Sequence, residues 1–286
     1  MRGRAYAKVN LGLWITGKRT DGYHNIVTVF HLIDLYDEIE ITKSSSIEVL
    51  SDIGPRGESN LVYRALLHLS ENAGFTVGLK VRIGKKIPIG AGLGGGSSDC
   101  AFVLRAVRHF YPEIGEGLIK SVGAAMGADV PFFMMRRSSA LARGKGDLLE
   151  PLKSELGEPV LLYYPGFSVS TEKAYSLFGE SDMTDEDEAL DKARRIADCV
   201  SRGSLRECLD YLENDFEKKL MEGLRELREA SEFLWDLGAR KVLLSGSGSA
   251  LLGFFDAVPD IERSPEKGKL FAVRFLPDID LNEEGL

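Results

Sequence analysis

Five glycines crowd into seven residues in the stretch Pro88-Ile89-Gly90-Ala91-Gly92-Leu93-Gly94-Gly95-Gly96-Ser97-Ser98-Asp99. Glycine has no Cβ, so a chain rich in it can turn several N–H groups toward one point. The apolar residues that follow, Ala101, Phe102, Leu104 and Ala106, recur at helical spacing. A helix beginning here leaves its first N–H groups unpaired and presents the positive end of its dipole. Loop and helix together make an anion cradle, and phosphate is the usual anion. A flexible linker would not run straight into an amphipathic helix capped by Ser97 or Ser98. A Walker loop needs a lysine directly after its last glycine, and none stands here. Gly90, Gly92 and Gly95 formally meet Gly-x-Gly-x-x-Gly. That dinucleotide motif wants an apolar strand running into its first glycine, whereas Lys85-Lys86-Ile87-Pro88 leads into this one.

Other residues could do chemistry beside such a loop. Lys8 and Asn10 share a face of the alternating segment at 4–16, because strand side chains repeat every second residue. Both facing solvent is equally compatible with that segment. Residues 17–25 form a turn-rich loop with bases and an aromatic, Lys18, Arg19, Tyr23 and His24. Such loops hold ligands, and they also serve as plain hairpin turns. Asp129 lies between a helix end at Gly127 and Pro131, where an aspartate often does no more than cap a turn. Ser245-Gly246-Ser247-Gly248-Ser249 is a second Gly/Ser loop, either another phosphate contact or a tight hairpin.

The elements that must position these residues follow from pattern. Strands are predicted at 4–16, 26–33, 37–42, 46–50, 76–83, 139–143, 160–164, 241–244, 250–255 and 270–275. Helices are predicted at 60–73, from Ser97 or Ser98 to His109, and at 118–126. A short helix contains Tyr175, and others cover 186–201, 204–212 and 216–237. Pro151, Gly157 and Pro159 punctuate a charged stretch and divide the chain into 1–153 and 154–286.

Composition sets bounds. The chain has 286 residues, 44% hydrophobic and 28% charged, which suits a globular protein of two domains. A net charge of -8 argues against nucleic acid as a partner, so an anionic ligand needs local positive groups. Lys8, Lys18, Arg19, Lys85 and Lys86 are the candidates. No apolar run reaches the ~20 residues of a membrane span, and the N-terminus does not read as a signal peptide. Cys100, Cys199 and Cys208 fit neither a disulfide framework nor a zinc pattern. They read as buried free thiols in a cytoplasmic protein.

Three separated stretches resemble the motifs of the GHMP kinases: Ala7-Lys8-Val9-Asn10-Leu11, the loop from Pro88 to Ser98, and Leu244-Ser245-Gly246-Ser247-Gly248. The resemblance implies a two-domain α+β fold. Its N-terminal domain would be ribosomal-protein-S5-like α/β and its C-terminal domain ferredoxin-like α+β, with the active site between them. It implies ATP with Mg²⁺, held along Pro88 to Ser98, with Ser98 a candidate Mg²⁺ contact. Asp129 matches the catalytic acid–base position and Lys8 its partner. Thr20-Asp21-Gly22-Tyr23-His24 and Gly127-Ala128-Asp129-Val130-Pro131 are similar to a branch acting on a cytidine-diphosphate methylerythritol, in the non-mevalonate supply of isoprenoid precursors. That implies transfer to the 2-hydroxyl. Asn10 would meet the methylerythritol end, and Tyr23, His24 and Tyr175 the cytosine. Asn60 and Leu61 would border the adenine. The sequence departs from the family at Cys100, normally alanine, and after Phe255, where prolines and glycine interrupt the helix that relatives place there.

Overall fold

The computed structural model describes residues 1–259, 265 and 267–278. Two long strands, β1 (Arg2–Lys18) and β2 (His24–Lys43), pair antiparallel and form the spine of the first sheet. β3 (Glu48–Ser51), β4 (Leu79–Gly84), β5 (Ser139–Arg143) and β6 (Leu148–Leu152) complete it, in the order β3-β4-β2-β5-β6 with β1 against β2. Only β3 and β4 run parallel. α1 (Leu61–Ala73), α2 (Gly95–Phe110), α3 (Glu116–Met126) and the short α4 (Val130–Met134) enclose a core with this sheet, including Leu66, Val81, Phe102 and Phe132.

β7 (Pro159–Tyr164) opens a second sheet. α5 (Thr171–Tyr175), α6 (Glu186–Arg202), α7 (Asp215–Gly223) and α8 (Arg225–Asp236) follow. Then come β8 (Lys241–Leu244), β9 (Leu251–Phe254) and β10 (Lys269–Arg274). The order β10-β7-β9-β8 places the last strand beside the first, as in a ferredoxin-like sheet. The described residues between β9 and β10 contain no helix, and the rest of the stretch expected to be irregular lies outside the described residues. A core including Trp14, Val27, Ile196 and Leu252 joins the first strand pair to α6 and the second sheet. Among the described residues no helix is long and apolar enough to cross a membrane.

Four expectations need correction. β2 is one strand and does not break at 34–36. Asp37 looked like a terminus, but it is fully buried and its carboxylate accepts the N–H groups of Lys86 and Ile87, at 2.6 and 2.9 Å. α2 starts before the serines, with Gly94 in the left-handed conformation as N-cap and no side-chain cap. The helix expected at 216–237 is two helices, parted at Leu224, whose extended backbone ends one and begins the other. Cys199 and Cys208 are not free thiols but a disulfide, with Cα atoms 6.5 Å apart. Gly203, in the left-handed conformation, turns the chain back at the end of α6, so cysteines nine residues apart meet. Cys100 is free and buried, as read.

His31 pins β2 to the segment leaving the first sheet. Nδ1 lies 2.8 Å from the Leu32 carbonyl and Nε2 2.7 Å from the Ser154 hydroxyl. Burial first of all pushes its pKa down to about 4, against an ordinary 6.5. The sign follows from linkage. Above pH 6.5 the ring is neutral folded or unfolded. Between 6.5 and 4 only the unfolded chain takes the proton, so stability falls with pH. The loss approaches about 3 kcal/mol below pH 4. Urea unfolding at pH 7.5 and 5 should show this slope in the wild type and a flatter one in His31→Asn, whose amide can still donate to Leu32. An equal slope in the variant would place the loss elsewhere.

Candidate active site

A cleft of about 1020 Å³ gathers residues from the first sheet and its loops, from α5 and α7, and from the hairpin between β8 and β9. One wall is the glycine loop. Gly90, Gly92 and Gly94 all have positive φ, which lets the chain curl tightly ahead of α2. The Ser98 N–H donates to the Gly94 carbonyl at 2.9 Å and is the first amide satisfied inside the helix. Those of Gly95, Gly96 and Ser97 have no carbonyl partner among the described residues, and they end at the cleft. Residues 88–97 line the cleft; Ser98 is buried and does not.

The loop Ser245–Ser249 proves to be a hairpin between β8 and β9, and Gly246 and Ser247 also line the cleft. It braces the glycine loop from behind. The Ala250 N–H donates to Ala91 at 3.1 Å and the Ser245 hydroxyl to Gly92 at 3.2 Å. Asn214 ties the hairpin down by donating to the carbonyls of Leu244 and Gly246, at 2.7 and 2.8 Å.

Lys8 and Asn10 face inward and are buried. Bulges in the β1–β2 register fall on either side of them, after Tyr6 and after Asn10, and re-aim this short segment. The Lys8 ammonium donates to Asn10 Oδ1 at 2.8 Å and stands 3.6 Å from Asp129 Oδ2. Asn10 Nδ2 donates to Thr28 Oγ1 at 2.7 Å, which donates to the Gly12 carbonyl at 2.6 Å. This chain fixes the ammonium from behind while Asp129 keeps 32% of its side chain exposed to the cleft. Asp129 occupies the N-cap position of α4 but its side chain caps nothing. An uncapping carboxylate beside a buried lysine can take a proton from a hydroxyl.

At the other end, Arg19–Tyr23 is a hairpin turn whose Asp21 carboxylate binds the Arg19 guanidinium and the Tyr23 N–H. Tyr23 stands 58% exposed on the rim, with the Lys145 ammonium 5.4 Å from its ring centre. His24 is buried, and its Nε2 has no hydrogen-bond partner among the described residues. Burial, then the Lys18 charge, lowers its pKa, which favours neutral imidazole. Tyr175 stacks on the His24 ring at 4.9 Å and sets an edge contact with Phe216 at 4.8 Å.

These features stand in one cleft. The model for the N-terminal domain of GHMP kinases matches residues 60–137. The 4-diphosphocytidyl-2-C-methyl-D-erythritol kinase of Persephonella marina is 40% identical over 263 residues, 91% of this chain and 93% of that one. The chain belongs to the 4-diphosphocytidyl-2-C-methyl-D-erythritol kinase family. A crystal structure of 4-(cytidine 5'-diphospho)-2C-methyl-D-erythritol kinase superposes with a TM-score of 0.77 at 35% identity, covering 96% of this chain and 99% of that one. A mevalonate kinase shares the fold at 15% identity, with a TM-score of 0.65 over 96% and 99% of the two chains.

Against that family, the sequence missed part of the cleft. Of the five basic candidates, Lys8, Lys18 and Lys85 line it; Arg19 and Lys86 do not, and Lys145 joins unforeseen. Lys86 instead pairs with Glu38 at 2.7 Å. Lys85 is not a free positive charge, since Asp37 and Asp99 lie 2.5 and 2.8 Å from its ammonium. Burial lowers the Lys85 pKa, but the two carboxylates outweigh it and the net shift is upward. Burial also raises that of Asp99. Thr28 carried a signal, as the one polar residue in the apolar run from Ile26 to Phe30.

Proposed function

We propose that this chain transfers the γ-phosphoryl group of ATP to the 2-hydroxyl of 4-diphosphocytidyl-2-C-methyl-D-erythritol, in the non-mevalonate supply of isoprenoid precursors. One observation carries the reading: the Lys8–Asp129 pair shares a cleft with the open amides of the glycine loop and with a His24 whose Nε2 has no hydrogen-bond partner among the described residues. Residues 1–153 would form the domain holding ATP and the reacting groups, and 154–286 the domain closing over them.

Phosphoryl transfer asks for positioning and charge neutralisation more than covalent chemistry. The amides of Gly95, Gly96 and Ser97 receive phosphate oxygens. Asp129 accepts the 2-hydroxyl proton. Lys8, held by Asn10, neutralises charge as the phosphoryl group moves. Asn10 has spent Oδ1 on Lys8 and one amide hydrogen on Thr28, which leaves one hydrogen for the methylerythritol end. Tyr23 offers a ring face to the cytosine and His24 Nε2 a hydrogen bond. Because Tyr175 already stacks on His24, its part is to hold that imidazole rather than to sandwich the base. Mg²⁺ would enter with the ATP phosphates. Among the described residues no group of three acidic, His or Cys side chains could hold a metal ion by itself, so the phosphates would supply most of its ligands.

The test is a direct assay. The protein is incubated with Mg-ATP and, separately, with the cytidylyl substrate, mevalonate and homoserine, and ADP is followed. ADP is expected with the first alcohol only. Absence of ADP with that substrate, in protein that still binds ATP, would sink the reading.

A further inference from the structure

A second pocket, of about 20 Å³, lies behind α2 and shares no lining residue with the cleft. Arg4 of β1, Ser98 and Arg105 of α2, Phe133 of α4 and Arg137 form most of its wall. Three guanidinium groups around one small space repel one another unless negative charge is near. Arg137 has Asp278 at 2.9 Å, and Arg4 lies over the Tyr36 ring at 4.5 Å. Arg105 is placed differently. One of its nitrogens donates to the Phe133 carbonyl, at the end of α4. Among the described residues its Nε, sealed from solvent, has no hydrogen-bond partner, and no carboxylate pairs with it. Burial first, then Arg136, lowers its pKa to about 10.

We propose that this pocket is a seat for a single monatomic anion, a halide, that neutralises Arg105. Volume selects the class. About 20 Å³ admits one particle of water or chloride size and not a whole phosphate. A water would add hydrogen bonds but leave the charge, whereas an anion supplies both, with the Ser98 hydroxyl as a further donor. The placement gives the ion work to do. Arg105 holds the last turn of α4, and Asp129 begins that helix. The Phe133 ring packs so closely on Gly94 that a Cβ there would lie 2.9 Å from it. An anion at Arg105 thus braces the helix bearing Asp129 against the helix that follows the glycine loop. This inference stands whatever alcohol the enzyme phosphorylates.

Two measurements test it on the full chain. In the first, sodium chloride or bromide replaces sodium gluconate at constant ionic strength while thermal unfolding is followed. A saturating rise in Tm is expected, about 2–4 °C at ten times the Kd. It should vanish in Arg105→Gln. If that variant does not fold, Arg4→Gln, at an exposed position, should weaken the halide dependence and keep the fold. In the second, crystals soaked in bromide should show an anomalous peak in contact with Arg105. Equal Tm in gluconate and chloride, or halide stabilisation with no bromide at Arg105, overturns the proposal.

Discussion

Asp129→Asn is expected to lower kcat by about 10²- to 10⁴-fold, the range that a positioned general base contributes. ATP affinity should stay within about twofold, because the loop amides proposed to hold phosphate do not depend on this side chain. The substitution is nearly isosteric and disturbs little. The carboxylate caps no helix, so α4 loses no hydrogen bond. Lys8 loses its partner at 3.6 Å but keeps Asn10 at 2.8 Å and stays in place. What disappears is the acceptor proposed for the hydroxyl proton. Titration with a non-hydrolysable ATP analogue and steady-state ADP release separate the two quantities. Turnover close to wild type would remove Asp129 from proton transfer. A parallel fall in ATP affinity would instead mean that the loop itself had moved.

The residues best read from sequence are those whose setting is local. Alternation put Lys8 and Asn10 on one face, and the structure shows that face buried against Thr28 and Phe30. Gly74 closes α1 in the left-handed conformation, as spacing alone indicates, while Asn60, expected as its first residue, caps it through its side chain. What escaped depends on distant partners. Asp37 interrupts an apolar strand and reads as a break until Lys85, Lys86 and Ile87, some fifty residues on, arrive to satisfy it. The glycine-poor stretch at 216–237 hides its break for a different reason. Gly223 was the single punctuation mark available, and the turn is made by the residue after it. The disulfide needed the reversal at Gly203, which a count of cysteine spacings does not contain. Arg105 belongs to the same class. On a helix wheel it is one more basic residue, and only the approach of Arg4, Arg137 and the end of α4 isolates it.

The glycine loop yields the second large effect, through a contrast between two of its own residues. Gly92→Ala is expected to abolish tight ATP binding, by 10²-fold or more, and to lower stability by about 3 kcal/mol or more. Two costs add. Gly92 has φ +80°, where an L-residue pays about 1–2 kcal/mol. A Cβ there would also enter the Ser245 carbonyl oxygen and crowd the Gly248 nitrogen at 3.3 Å. Both neighbours are backbone, so neither can rotate away. The strain must open the seam in which Ala250 and Ser245 bond to the carbonyls of Ala91 and Gly92. That seam is what the two Gly/Ser loops share, and it fixes the curl of the phosphate wall. Gly96→Ala lies only four residues away and should do almost nothing. Gly96 sits in the first turn of α2, its φ is not positive, and a Cβ there meets nothing within 4 Å. Its N–H remains in place for phosphate. Denaturant unfolding and ATP titration of the two variants, side by side, separate backbone curvature from glycine content. If both lose ATP equally, the loop works by flexibility and not by the fixed curl that the hairpin imposes. If Gly92→Ala binds ATP normally, the hairpin has yielded, and the second sheet does not shape the phosphate site.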